Sequence, residues 1–174
     1  FNTAVGFNAG ENVTTGTNNT LIGGQTGDAL TDGTFNTFVG KDAGGAATTG
    51  DYNTFIGTGT IAGTGNFGAG SLVTTGSKNV ILGGYNGNQD SLDIRTSSNN
   101  IVLSDGDGNP RIVANSSGQI SVGSSFSFGG TGYGTTSFTV NNGGADYTAA
   151  FRANTTTAGN AYGLFIHYPS VTPN

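Results

Sequence analysis

Asn19-Thr20-Leu21-Ile22-Gly23, Asn36-Thr37-Phe38-Val39-Gly40 and Asn53-Thr54-Phe55-Ile56-Gly57 are three copies of one phrase, Asn-Thr-x-aliphatic-Gly, 17 residues apart. An earlier copy, Asn2-Thr3-Ala4-Val5-Gly6, keeps the same beat, and Asn79-Val80-Ile81-Leu82-Gly83 is a degenerate fifth. A second half-unit recurs between them: Ala9-Gly10-Glu11-Asn12-Val13-Thr14-Thr15-Gly16 returns as Thr26–Gly33, Ala43–Gly50 and Ala69–Gly76. A fixed period of this size marks a repeat architecture, in which neighbouring units bury what one unit cannot. Short β-branched clusters between glycines predict strands and corners, hence an all-β parallel β-solenoid or β-roll with a 17-residue coil. The invariant glycines predict corners where φ is positive or where backbone passes close to backbone.

Within each copy the third and fourth positions are both apolar, and in a strand they point to opposite faces. Two covered faces follow. A coil this thin encloses one row of side chains. The fourth-position row, Val5, Ile22, Val39, Ile56 and Leu82, is assigned to that core. The third-position row, Ala4, Leu21, Phe38, Phe55 and Ile81, then needs another surface. Further copies of the chain around a three-fold axis would supply it, giving a homotrimer; the alternative is cover from the second half-unit of the same chain. Asn2, Asn19, Asn36, Asn53 and Asn79 stack one per coil at about 4.8 Å, a structural ladder of hydrogen-bonding amides.

The beat breaks between Asn53 and Asn79, where nine extra residues fall between Gly57 and Ala69. An insertion that keeps the flanking beat loops outwards or forms a partial extra coil. The organisation expected is a β-solenoid over 1–83, a β-hairpin or meander connector over 84–125, a Gly/Ser-rich loop over 126–136 and a C-terminal β segment over 137–174. That last segment reads as truncated, and the chain starts inside a repeat without Met, as a fragment would.

Composition narrows the function classes. Charged residues are only 9% of the 174 residues, and five Lys and Arg are scattered singly, which argues against a nucleic-acid footprint. The net charge of -5 does not force disorder. Gly numbers 33 but Pro only 3, without a Gly-X-Y period, so collagen is excluded. There is no Cys and hence no disulfide or thiol chemistry. No apolar run approaches the roughly 20 residues of a membrane helix, so membrane insertion is not expected.

Chemistry-bearing groups are few. Asp105, Asp107 and Asn109 alternate with glycine as at the start of a Ca²⁺ loop. Pro110 and Ser116 stand where such a loop needs Gly and a bidentate Glu, so a hairpin turn is the preferred reading and no metal is expected. His167 is the single His, and no Ser lies in a nucleophile elbow. Asp28, Asp32, Asp42 and Asp51 sit near corners of different coils, where stacking could bring carboxylates within the roughly 5–9 Å of a glycosidase pair. They read better as surface corners. No cofactor and no enzymatic activity are expected.

The repeated Asn-Thr-x-aliphatic-Gly-x-x-Ala-Gly…Thr-Thr-Gly pattern resembles the left-handed parallel β-roll heads of trimeric autotransporter adhesins and the repeat shafts of bacteriophage tail fibres. Ile101–Arg111, Ser117–Gly123 and Tyr162–Pro169 are similar to phage fibre sequences. The resemblance implies a homotrimeric shaft in a virion appendage that contributes to host attachment through a cell-surface glycan or protein. The alternatives it leaves are a surface adhesin head on a bacterial cell, a polysaccharide-degrading tailspike and, from the Thr rows, an ice-binding solenoid.

Overall fold

The computed structural model describes residues 1–61 and 65–122. The strands in chain order are β1 (Thr3–Val5), β2 (Thr20–Ile22), β3 (Thr37–Val39), β4 (Thr54–Ile56), β5 (Thr58–Ile61) and β6 (Gly65–Gly68). They continue as β7 (Val80–Leu82), β8 (Asn88–Gln89), β9 (Leu92–Asp93), β10 (Ile101–Ser104), β11 (Pro110–Ala114) and β12 (Ile120–Val122). Among the described residues there is no helix. The 126–136 loop, the 137–174 segment and His167 lie outside the described residues.

One eight-stranded sheet runs β1-β2-β3-β4-β7-β10-β11-β12. Its first six members pair parallel and in register, Thr3 on Thr20, Thr20 on Thr37, Thr37 on Thr54, Thr54 on Val80 and Val80 on Ile101. This is the parallel β-solenoid that the beat predicts. The ladder does not stop at residue 83: Asn100–Ser104 closes a further coil, 21 residues after Asn79. The last two strands then turn back antiparallel, β10 on β11 and β11 on β12.

The direction of the two apolar rows is the reverse of the sequence assignment. Leu21, Phe38, Phe55, Ile81 and Val102, all third-position residues, are completely buried. The fourth-position row assigned to the core points outward: Val5 is 58% exposed, Ile22 39%, Ile56 40% and Leu82 40%, with Val39 half-buried. The physical reason lies in the second half-unit. Leu30, Ala47 and Val73 are buried in it, and they supply from within the same chain the surface that the third row needs. Phe38 and Phe55 stack at 4.9 Å along the rod, an arrangement that adds about 0.5–1.5 kcal/mol to their burial.

The insertions leave this core intact. After Gly57 the chain pairs Thr58–Ile61 with Gly65–Gly68 as a separate antiparallel hairpin, β5 on β6, anchored by the Thr60 N–H on the Gly106 carbonyl at 2.9 Å. A second small hairpin, β8 on β9, accounts for the longer last coil. Its two-residue turn, Asp90-Ser91, has φ of 50° and 65°, the left-handed pair that a type I′ turn demands and that Asn-Gly fills without strain.

Two glycine rows carry the corners. Gly40 has φ +133°, and a Cβ there would stand 2.6 Å from the Gly57 carbonyl of the next coil. Gly44 has φ +62°, and a Cβ there would stand 2.5 Å from the Phe38 ring. The first corner needs glycine for backbone against backbone, the second so that the core aromatic can lie against the chain. Gly40→Ala is therefore expected to cost at least about 3 kcal/mol, since strain and overlap coincide. Ser91→Gly should instead stabilise by roughly 0.5–1 kcal/mol, by relieving a left-handed non-glycine position. Denaturant melts of both variants check the pair; a neutral Gly40→Ala would contradict this account of the corner.

Candidate functional site

Three features of the rod are candidates for function: the asparagine ladder, the outward face of the sheet and the Asp105 turn.

The ladder forms, but not chiefly by amide meeting amide. Each Asn Oδ1 accepts the backbone N–H of the next Asn: Asn19 N–H on Asn2 at 2.9 Å, Asn36 on Asn19 at 2.9 Å, Asn53 on Asn36 at 2.9 Å and Asn79 on Asn53 at 3.0 Å. Asn100, not picked out from the sequence, adds the next rung, its N–H on Asn79 at 2.9 Å. Each Nδ2 donates to the carbonyl that closes its own coil: Gly16, Gly33, Gly50 and Gly76, then Ser97, at 2.8–2.9 Å. The backbone carbonyl of the same Asn accepts from the preceding coil, as Thr37 N–H on Asn53 at 2.8 Å. From Asn19 onward these side chains are buried. One side chain thus satisfies a donor of the next coil and an acceptor of its own, where no water reaches.

The residue before each Asn takes the left-handed conformation: Asn18 at φ 60°, Phe35 at 57°, Tyr52 at 57°, Lys78 at 58° and Asn99 at 62°. Asn tolerates this, whereas aromatic residues are strained by about 1–2 kcal/mol. Phe35 and Tyr52 stack at 5.0 Å and 3° on the surface, which offsets part of that strain. The sequence carried no signal for the left-handed turn at Phe35 and Tyr52.

The outward face is a pair of rows in strict register. Val5, Ile22, Val39, Ile56, Leu82 and Leu103 follow one another up the parallel strands, and Ile112 and Val122 continue the line onto the antiparallel pair. Beside them run Thr3, Thr20, Thr37 and Thr54, then Val80, Ile101, Ala114 and Ile120. Seven strand spacings make the stripe about 34 Å long. Neither row holds a charged side chain.

The Asp105–Asn109 run is a turn held by its own first residue. Asp105 Oδ1 accepts the Asp107 and Asn109 N–H groups at 3.1 and 2.9 Å, and its Oδ2 accepts Asn109 Nδ2 at 3.2 Å. Arg111 closes on the same Oδ2 through Nε at 2.9 Å and through Nη2. The guanidinium, then the Asn109 bonds, hold the Asp105 carboxyl at about 2, well below its ordinary value. An arginine stands where a cation would need the carboxylate, so this turn does not fit the Ca²⁺ reading of Asp105, Asp107 and Asn109. Among the described residues no group of three His, Cys, Asp or Glu could hold a metal ion.

The acidic corner residues are similarly engaged. Asp32 accepts Thr14 and Thr15 hydroxyls, Asp51 accepts the Thr34 N–H and hydroxyl, and Asp42 pairs with Lys41. Tyr85 is fully buried and its hydroxyl donates to the Leu92 carbonyl at 2.7 Å; burial, then the nearby Asp93, push its phenol above its ordinary range. No helix among the described residues is long and apolar enough to cross a membrane.

Asn36→Ala would orphan the buried Asn53 N–H and the Gly50 carbonyl together. Its expected cost is about 2–4 kcal/mol, against under about 1 kcal/mol for Asn2→Ala at the exposed end coil; equilibrium unfolding in urea measures both. Acid tests the turn separately. A depressed carboxyl contributes stability that is complete above the unfolded value, 3.8, and is lost as pH falls through about 2. The Asp105 carboxyl resonance should therefore titrate near 2, and Arg111→Gln should move it upward; an unshifted midpoint near 3.8 in the parent would contradict the pair.

Comparison of the chain with family models, with curated proteins and with solved structures finds no match.

Proposed function

We propose that the chain is a structural shaft segment of a phage tail fibre or similar virion appendage, working as a homotrimer and contributing to attachment at a host surface. The observation that carries this reading is the outward stripe. The solenoid closes its core within one chain, yet a continuous uncharged row from Val5 to Val122 stays on the surface. Monomeric proteins rarely leave long apolar strips uncovered. Three copies set around an axis parallel to the rod would bury the same stripe on each, a closed arrangement that neither propagates nor leaves an edge.

The mechanism is mechanical. Each coil is tied to the next by ladder bonds and backbone pairing, so stability accumulates by nearest-neighbour stacking, as in other solenoids. A trimer of such coils is a stiff spacer that holds a contact site away from the particle. The hairpin insertions decorate it without breaking the stack.

Sedimentation equilibrium of the full chain tests the assembly. The expected mass is three times the 17.3 kDa of one chain, and Ile56→Asp, which places a charge in the stripe, should give a β-rich monomer. A parent chain that stays monomeric at tens of micromolar would overturn the trimer. Antibody against the chain should label the fibres of intact virions by electron microscopy; label on a bacterial envelope and none on virions would move the reading to a surface adhesin.

A further inference from the structure

A groove of about 640 Å³ opens near the last coil, between the β8–β9 hairpin and the β11–β12 pair. That volume lies within the range of small-ligand sites. We propose that this groove binds a neutral saccharide unit of a surface glycan. The inference deepens the attachment reading above and rests on that half of it.

The lining has two chemistries. Leu92, Pro110 and Val113 give it an apolar part, and Leu92 and Val113 pack against the core. Val113 continues the buried row, opposite Val102, but lies past the last closed coil and is only partly covered. The polar part is Asp90, Asn109, Arg111, Asn115, Gln119 and Ser121. A pyranose presents an apolar C–H face and a rim of vicinal hydroxyls, each both donor and acceptor. Planar amides, a guanidinium, a carboxylate and a hydroxyl offer the matching donors and acceptors, and the apolar patch takes the C–H face.

Arg111, Asn115 and Gln119 are held before any ligand arrives. Asn115 Nδ2 donates to Gln119 Oε1 at 2.9 Å, while Asn115 Oδ1 accepts the Ser117 and Gln119 N–H groups. Arg111 is fixed by Asp105 through Nε and Nη2. For these three the ordering is complete beforehand, which lowers the cost of binding. Charge selects the class of sugar. Asp105 neutralises the arginine, and Asp90 adds a negative charge at the hairpin tip. A sialylated or sulfated unit would meet repulsion with no free cation among the lining residues, whereas a neutral hexose or N-acetylhexosamine meets none.

Saturation-transfer NMR on the full chain, with glucose-, galactose-, mannose- and N-acetylglucosamine-based oligosaccharides and sialylated and sulfated counterparts, tests this directly. Transfer to at least one neutral sugar is expected and none to the anionic ones. Ser121→Phe, which fills the groove, should abolish the signal, and Gln119→Ala should weaken binding at least threefold, both with unchanged circular dichroism. Thr14→Ala, in an early coil, should bind as the parent does. No transfer to any neutral sugar, a preference for anionic ones, or parent-like binding in both groove variants would overturn the proposal. A trimer that binds no sugar sinks the groove alone; a sugar-binding monomer sinks the shaft reading alone.

Discussion

The bond from one asparagine Oδ1 to the backbone N–H of the next asparagine is the constraint on which the rest of this rod depends. It sits at the start of every parallel strand, so it sets the phase of each coil against its neighbour. Because the same side chain also holds the carbonyl that closes its own coil, a slip of one residue would orphan two buried groups per rung. Register in a sheet is otherwise set by the hydrophobic pattern. Here both faces of each strand are apolar, so that pattern is a weak guide and the amide supplies what it lacks. With phase fixed, Phe38 lands on Phe55 and each corner glycine lands on the carbonyl above it.

The rungs also explain how the coil tolerates unequal lengths. Between Asn53 and Asn79 the chain spends 26 residues, and between Asn79 and Asn100 it spends 21. In both cases the surplus leaves the stack as a hairpin, and the next asparagine returns to its place. The surplus is thus carried outside the stack, where the β8–β9 hairpin forms one wall of the groove near the last coil, while the outward rows stay continuous. The antiparallel strands at the top keep the outward row in line, Leu103 beside Ile112 and Ile112 beside Val122, although chain direction has reversed.

Much of this was legible in the sequence because repetition is. The 17-residue beat, the all-β class, the parallel stacking and the asparagine ladder follow from spacing alone. The direction of the apolar rows did not. Adjacent apolar residues such as Phe38 and Val39 are symmetric on paper, and only the small, buried second half-unit decides which of them turns inward. Asn100 does not stand out as a rung on sequence because its coil is four residues longer than the beat and its phrase ends in Leu103-Ser104 rather than in glycine. At Gly83 the next coil presents Ser104, whose hydroxyl accepts the Tyr85 N–H, so a different residue performs the corner. The oxygen spacing of Asp105, Asp107 and Asn109 is the same for a cation and for a self-capped turn, and only Pro110 and Ser116 favour the turn on sequence. The partner that distinguishes them, Arg111, lies six residues along the chain.

Amide hydrogen exchange of the full chain, read residue by residue by NMR, tests the ladder most directly. The account predicts that the backbone N–H groups of Asn36, Asn53 and Asn79 are among the slowest in the chain, and that Asn36→Ala accelerates exchange at Asn53 far more than at Asn79. Exchange at these three positions as fast as at the exposed Ser116–Gly118 turn, or a uniform response to Asn36→Ala along the rod, would contradict it.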